Sequence, residues 1–558
     1  MTIYLAIDFG TTNCVAGEVS AQLSLELVPL EENSAEMPSA IFLKSSYTSN
    51  NIFDEFEYQR RVKRAMEFEF EKNRRLLENI EGQINVFFTL NKPRLRDPNR
   101  NYSSFERKNY KFVESSLFDV STEYFKKNDM VLERKRLMAH LPPPKSETEI
   151  RNDVKALMLS EVMDSNIQIL KEETFFTALN DPDIIPIIGE NAINEYTKNP
   201  MSGFFMRSPK AFLAANLNSG QKELFTKAVY LILKHIKVKA EKHLDKIFDG
   251  VVIGRPVNFM GANNSSQNDQ AIDILKTAAI RSGFKSVRFV QEPLAAALVL
   301  PQSIYSSSQP ALVIDVGGGT TDIAYLDVVT EGEPKLSVEG ISGERTGGND
   351  FDQSIALNKF GMHIGRNNSK LNSVIVDAFS TRDIHSQSRF RNSGDLIYQT
   401  LKKELDSTEY SRLYHLYINQ LQHQLLLSAE KIKVNLSTNS ITNLEINFLP
   451  PDFEISLTND EINSICSNHL EVIRKNIKQA IPVSRSLVPV RVFLTGGMSS
   501  FLPIVNLVRD IIPNGSSVRR ISALQSIVAG LAVVARQLSF SESIYDEPNT
   551  VRGISINK

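Results

Sequence analysis

Apolar residues run unbroken from Ile3 to Ile7, stop at Asp8-Phe9-Gly10-Thr11-Thr12, and resume from Val15 to Val19. A short apolar run, a glycine turn and a second run predict a strand, a tight turn and a second strand. Further on, Val62, Met66, Phe70, Leu77 and Ile80 recur at near-helical spacing within the Glu-, Arg- and Lys-rich stretch 53–81, which predicts an amphipathic helix. Pro142-Pro143-Pro144 predicts a loop. After residue 200 strand and helix patterns alternate: a buried-type strand at Val251–Gly254, a helix at Gln270–Arg281, a strand at Val287–Gln291 and an Ala-rich helix from Pro293. Strands follow at 311–316 and 321–329, a mainly helical pattern at 349–464, a strand at 489–494 and two closing helices, the last from Ser526 to Leu538. Alternation of this kind predicts an α/β fold.

One repeat changes the picture. Leu5-Ala6-Ile7-Asp8-Phe9-Gly10-Thr11-Thr12 returns as Leu312-Val313-Ile314-Asp315-Val316-Gly317-Gly318-Gly319-Thr320-Thr321. The separation is far too long for a solenoid. Two strand–turn–strand units, one in each half of the chain, predict a duplicated fold with a cleft between the halves.

Composition narrows the class. With 558 residues, 42% of them hydrophobic and 23% charged, the chain is long enough for more than one core. A net charge of -2 gives no global pull toward nucleic acid or an anionic membrane, and neither is expected as a partner. Cys14 and Cys466 are the only cysteines, too few for a disulfide framework, and Cys14 reads as a small buried residue. Asp8 ends the first apolar run early and no basic segment precedes it, so no secretory leader is expected. The run Ile527–Ala535 is too short to span a bilayer, and a cytoplasmic location is expected. Lys92 to Lys111 carries seven basic and two acidic residues, read as a solvated surface.

The repeated turns have the chemistry of phosphate sites. Glycine lets backbone N–H groups approach a phosphate closely, and threonine hydroxyls add donors. Gly10, Thr11 and Thr12 are candidates for one side of a triphosphate, and Gly317, Gly318, Gly319 and Thr320 for the other. Carboxylates beside phosphates need an intervening cation, so Asp8, Asp315 and Asp322 predict Mg²⁺, held mostly through water. A third element, Val490 to Pro503, carries Gly496-Gly497 between a strand and a helix for which Ser499 is the predicted N-cap. It suits a nucleoside base and ribose. No Gly-x4-Gly-Lys-Ser/Thr loop, His-Glu-x-x-His or Cys-x-x-Cys pattern occurs. Asp8-Phe9-Gly10 mimics a protein-kinase tripeptide but has no glycine loop or strand lysine before it.

These three elements, in this order, resemble the actin-like ATPase superfamily. Glu292-Pro293-Leu294-Ala295-Ala296-Ala297 resembles a segment of its 70-kDa heat-shock chaperone branch, as do Val252 to Phe259, Gly343 to Asp352 and Ser428 to Ser437. Phe205 to Leu213 and Ile253 to Asn258 are most similar to a truncated bacterial member of that branch. The resemblance implies a duplicated actin-like (ribonuclease H-like) fold, with two lobes around a central nucleotide cleft. Lobe I would span 1–305 with an inserted subdomain at about 45–214, and the closing helix 521–540 would return to it. Lobe II would span 306–520 with a helical insertion at about 349–464, leaving 541–558 as a short tail without a substrate-binding β-sandwich. ATP or ADP and Mg²⁺ are the implied cofactors.

The same resemblance implies roles for particular residues. Asp8 and Asp315 would organise Mg²⁺ and the attacking water, Lys210 (or Arg207 in its place) would neutralise charge on the γ-phosphate, and Glu292 would order the nucleophile side, with Thr320 in the catalytic set. Asn13, Gly347, Gly348, Glu430, Lys433, Ser437, Gly496, Gly497, Met498 and Ser500 would contact the nucleotide. Glu430, Lys433 and Ser437 are spaced to share one helix face. Val434 departs from the family, which has an arginine stacked on adenine there, and Met498 and Ser500 replace a serine and an arginine. A chaperone-like ATP switch is the function implied, read by an unknown protein partner through the insertions 45–200 and 349–464. A small-molecule kinase on the same fold, a non-hydrolysing ATP-gated interaction protein and a filament former are the alternatives.

Overall fold

The computed structural model describes residues 2–20, 24–44, 55–91, 94–95, 100–101, 103, 107, 112–113, 130–141, 143–172, 175–181, 183–259, 265–300, 309–329, 335–381, 384–405, 407–521, 523–540 and 554–556. The chain divides into two compact units, residues 51–164 and the remainder.

The larger unit is organised by two sheets of like construction. In the first, β1 (Tyr4–Phe9) pairs antiparallel with β2 (Asn13–Val19), which continues to β3 (Leu25–Leu27) and also pairs with β4 (Met37–Pro38). On its other side β1 runs parallel to β5 (Gly250–Arg255), and β5 to β6 (Ser286–Gln291). In the second sheet, β7 (Ala311–Val316) pairs antiparallel with β8 (Thr321–Val329), which pairs with β9 (Lys335–Glu344). Here too the other side is parallel, β7 beside β10 (Arg491–Thr495) and β10 beside β11 (Ser517–Arg520). β12 (Ile554–Ile556) adds a parallel pair at the β9 edge. The sequence repeat is thus a repeat of topology. β1 and β7 are each flanked on both sides and covered on both faces, which is why they read as continuous apolar runs rather than alternating ones.

Helices cover the sheets. The Ala523–Phe540 helix packs on β1, β2 and β5, while the Glu292–Leu298 helix packs on β7 and β8 and against that longer helix. They share one core with Ala6, Val252, Val313, Ala324 and Phe493. The approach is close enough that a Cβ at Gly530 would lie 1.8 Å from the Ala295 carbonyl oxygen. A second core lies under the first sheet, where the Ser219–Leu244 and Ser265–Arg281 helices bury Phe225, Ile232 and Leu275.

Strands and helices appear close to where the pattern predicts them, with three corrections. The 349–464 stretch is helical except for an antiparallel hairpin, Ile441–Ile446 with Phe453–Thr458. The helix after Gly496-Gly497 begins at Leu502 with Phe501, not Ser499, at its N-cap, and Pro503 in its first turn. Ser499 instead closes a turn onto the Gly496 carbonyl. The third correction concerns the helical stripe in the smaller unit.

The smaller unit holds a 37-residue helix, Glu55–Asn91, the Met130–Ala139 helix and most of the Glu147–Glu172 helix. Val62, Val154 and Met158 form its core, and Arg61 joins Glu57 and Glu161. Val62 and Ile80 of the predicted stripe are buried, but Phe70 and Leu77 are exposed. At 100° per residue Ile80 returns to the direction of Val62, whereas Phe70 lies about 80° and Leu77 about 60° away. Pro143 and Pro144 lie between helices, as expected; the basic stretch 92–111 falls largely outside the described residues. Among the described residues no helix is long and apolar enough to cross a membrane. Both cysteines are free and buried, and burial pushes the Cys14 thiol up to about 12, which makes it a poor nucleophile.

Candidate active site

The turns of the two hairpins come together at one cavity of about 390 Å³, a volume typical of a small-molecule site. Asp8 and Asp315 end the apolar runs of β1 and β7, opposite Val15 and Asp322 in the ladders. Gly10, Thr11, Thr12 and Asn13 line one wall, and Gly317, Gly318, Gly319 and Thr320 another. The turns touch: a Cβ at Gly318 would lie 1.9 Å from the Thr12 hydroxyl oxygen. The second turn is braced from behind, where the Gly348 and Asn349 N–H groups donate to the Gly317 and Gly318 carbonyls at 2.9 and 2.7 Å. Gly347 lies against the backbone of Gly317 to Gly319 and supports that turn rather than lining the cavity.

Lys210 reaches the cavity through a strained turn. The Gly203–Arg207 strand pairs with Ala40–Lys44, and Ser208 then adopts the left-handed conformation at φ 57°, with its N–H on the Ser39 carbonyl at 2.8 Å. Pro209 opens the buried Pro209–Phe212 turn that carries Lys210. Lys210 Nζ donates to Glu292 Oε1 at 2.7 Å, and both side chains are more than nine-tenths buried. Glu292 is held by its place as the first residue of the Glu292–Leu298 helix, before Pro293. Burial works against the Lys210 charge, but the Glu292 and Asp8 carboxylates outweigh it and hold the ammonium above its usual range. Arg207, the alternative to Lys210, is committed elsewhere: its Nη2 donates to Glu430 Oε2 at 2.6 Å.

Carboxylates crowd the floor of the cavity. Burial, then the nearby Glu292 carboxylate, raise Asp8 to about 7. The same two causes raise Asp322 to about 7 and lift Asp315 well above the usual carboxylate range, with Asp322 and Asp8 adding to the effect on Asp315. Asp315 Oδ1 and Asp322 Oδ2 are buried with no hydrogen-bond partner, although Asp322 Oδ1 accepts from the Val257 N–H at 2.7 Å. Crowded acids with orphaned oxygens fit a cation brought from outside. Among the described residues no three acids, histidines or cysteines form a direct chelating cage, so the fit is to a hydrated ion such as Mg²⁺. Asp322 does not line the cavity itself; it lies behind Asp315.

Gly348, Glu430, Lys433, Gly496, Gly497, Met498 and Ser500 also line the cavity. Gly496 has φ 85°, and a Cβ there would sit 2.4 Å from Asp315 Oδ1, so only glycine fits beside that carboxylate. Lys433 Nζ donates to the Gly348 carbonyl at 3.0 Å and to Asp352 Oδ2 at 2.8 Å. The Gln422–Asn435 helix ends before Ser437, which does not line the cavity; its hydroxyl donates to the Lys433 carbonyl at 3.4 Å. Sequence reading missed Glu36, which lines the first wall and accepts from Asn13 Nδ2 at 2.7 Å. Only the pairing of β2 with β4 brings it there, and no motif signals it.

With this geometry in view, comparison with known proteins adds a likeness. The Hsp70 protein family model matches residues 207–372, a stretch that carries Lys210, Glu292, the second hairpin and the Gly347-Gly348 turn. The chaperone protein DnaK of Thermosipho melanesiensis is 26% identical over 323 residues, which cover 56% of this chain and 44% of that protein. Over these stretches the chain is similar to the Hsp70 family. DnaK of Trichormus variabilis is 28% identical over 292 residues, 50% of this chain and 34% of its own. DnaK of Ureaplasma parvum is 27% identical over 289 residues, 50% of this chain and 39% of its own. The chain thus matches less than half the length of these Hsp70 relatives. The mixed α/β architecture, with its several sheets, fits the nucleotide-binding part of an Hsp70 protein.

Proposed function

We propose that this chain binds ATP with Mg²⁺ between its two Asp–Gly–Thr hairpins and hydrolyses it, as an Hsp70-family ATPase with two actin-like lobes. The observation that carries the reading is the convergence of both hairpin turns with the buried Lys210–Glu292 pair on one cavity. Bound Mg²⁺ would shield the triphosphate from the acidic floor. The backbone N–H groups of the turns, with the Thr11, Thr12 and Thr320 hydroxyls, would cradle the phosphates. Lys210, kept protonated by its carboxylate neighbours, would offer a fixed cation where charge develops. Asp315, which lines the cavity, would accept from ordered water and orient it, with Asp322 paired across the ladder from it.

The same reading includes a nucleotide-dependent switch, read by a protein partner through residues 45–200 and 349–464. Unchanged partner binding after removal of those stretches would count against it. The test of the chemistry is ATP turnover by the pure protein with Mg²⁺ and no added acceptor. Turnover that Asp315→Asn abolishes is the expected result. Failure to bind Mg²⁺ and ATP at all would end the reading.

A further inference from the structure

On the part of the cavity wall that the Gln422–Asn435 helix supplies, every charged side chain is already engaged. Glu430 is paired with Arg207, and those neighbours hold its carboxyl below the usual range despite burial. Lys433 is spent on Asp352 and on the Gly348 carbonyl. Val434, next to Lys433 on the same helix, is apolar, 59% exposed and on the cavity wall. The buried Met498 lines the same cavity, with its thioether beside Gly348. Ser437, the hydroxyl expected to reach a base, is turned onto its own helix end.

We infer that this part of the site accepts a purine by apolar contact with Val434 and Met498 and does not read which purine it is, so the chain takes ATP and GTP alike. The inference rests on the nucleotide reading above and adds substrate class to it. A site discriminates strongly only where its own polar groups would be stranded by the wrong ligand, and an apolar surface discriminates weakly. Glu430 and Lys433, the charged side chains of this wall, are already paired with Arg207 and Asp352, so exchanging the 6-amino group of adenine for the 6-oxo and 2-amino groups of guanine strands neither of them. Affinity then comes from the triphosphate end, which is common to both nucleotides.

The experiment is calorimetric titration of the full chain with ATP, GTP and inorganic tripolyphosphate, each with Mg²⁺, alongside Val434→Arg. The exposure of Val434 makes that substitution compatible with the fold. A GTP dissociation constant within about thirty-fold of that for ATP is expected, and a larger preference for either overturns the inference. Val434→Arg should strengthen ATP binding about five-fold by placing a cation over the ring, while tripolyphosphate binding stays the same. Unchanged ATP affinity in that variant would remove Val434 from the base face. Failure of all three ligands to bind would instead overturn the nucleotide reading itself.

Discussion

At the scale of single residues, the site is a set of buried charges that balance only in part. Lys210 and Glu292 hold each other, and removing one partner strands the other in the interior. Lys210→Met is therefore expected to destabilise the fold by about 3–5 kcal/mol, and Lys210→Met with Glu292→Gln by clearly less. Urea denaturation of the two single variants and the double variant measures the difference. The excess acids behave the other way. Asp8 and Asp322 are lifted to about 7 and Asp315 higher still, so the folded state holds protons that the unfolded chain has released. Their contribution to stability is complete below the ordinary carboxylate range and is lost as pH rises through about 7. In chelator, Asp315→Asn should stabilise the fold at about pH 8 by on the order of 1 kcal/mol or more, read as a higher unfolding midpoint, with the gain shrinking toward about pH 5. A lowered midpoint at the higher pH, seen by scanning calorimetry, would mean that Asp315 is already compensated.

At the scale of elements, close backbone approach does what side chains do elsewhere. The Glu292–Leu298 and Ala523–Phe540 helices meet at Gly530, where no Cβ fits against the Ala295 carbonyl. That contact fixes the helix whose first residue is Glu292. Gly530→Ala should push the two helices apart and cost about 1–3 kcal/mol or more, read as a lower urea midpoint. Nucleotide affinity should fall with it, because Glu292 and its lysine shift together. A stable variant with weakened binding would show that the helix pair mainly positions the site. A variant with neither change would show that the two helices are free to separate.

At the scale of the whole molecule, every residue that lines the cavity belongs to the larger unit, and the smaller unit at 51–164 has its own core. Replacing 51–164 with a flexible Gly/Ser linker is expected to leave Mg²⁺-nucleotide affinity within about two-fold of the full chain, as for energetically independent parts. Titration of both proteins with one nucleotide decides it. A large loss would mean that the unit contributes to the site through the larger one.

The sequence by itself determined whatever is local and periodic. The runs ending in Asp8 and Asp315 specify strands buried on both faces, and the Gly and Thr residues after them specify tight turns that a ligand can approach closely. Repetition of that unit made the duplication legible before any contact was known. Lys210 and Glu292 were legible only through resemblance, because neither sits in a pattern that forces its role. Tertiary structure alone decided how charges are shared: that Arg207 serves Glu430, that Lys433 serves Asp352, that Ser437 turns away and that Glu36 enters through β4. It also decided which apolar residues of the long helix are buried, since a spacing close to the helical period still drifts by tens of degrees over two or three turns. Strand and turn propensities are written in neighbouring residues. Ion pairing and burial depend on groups tens to hundreds of positions apart, and no local pattern encodes them.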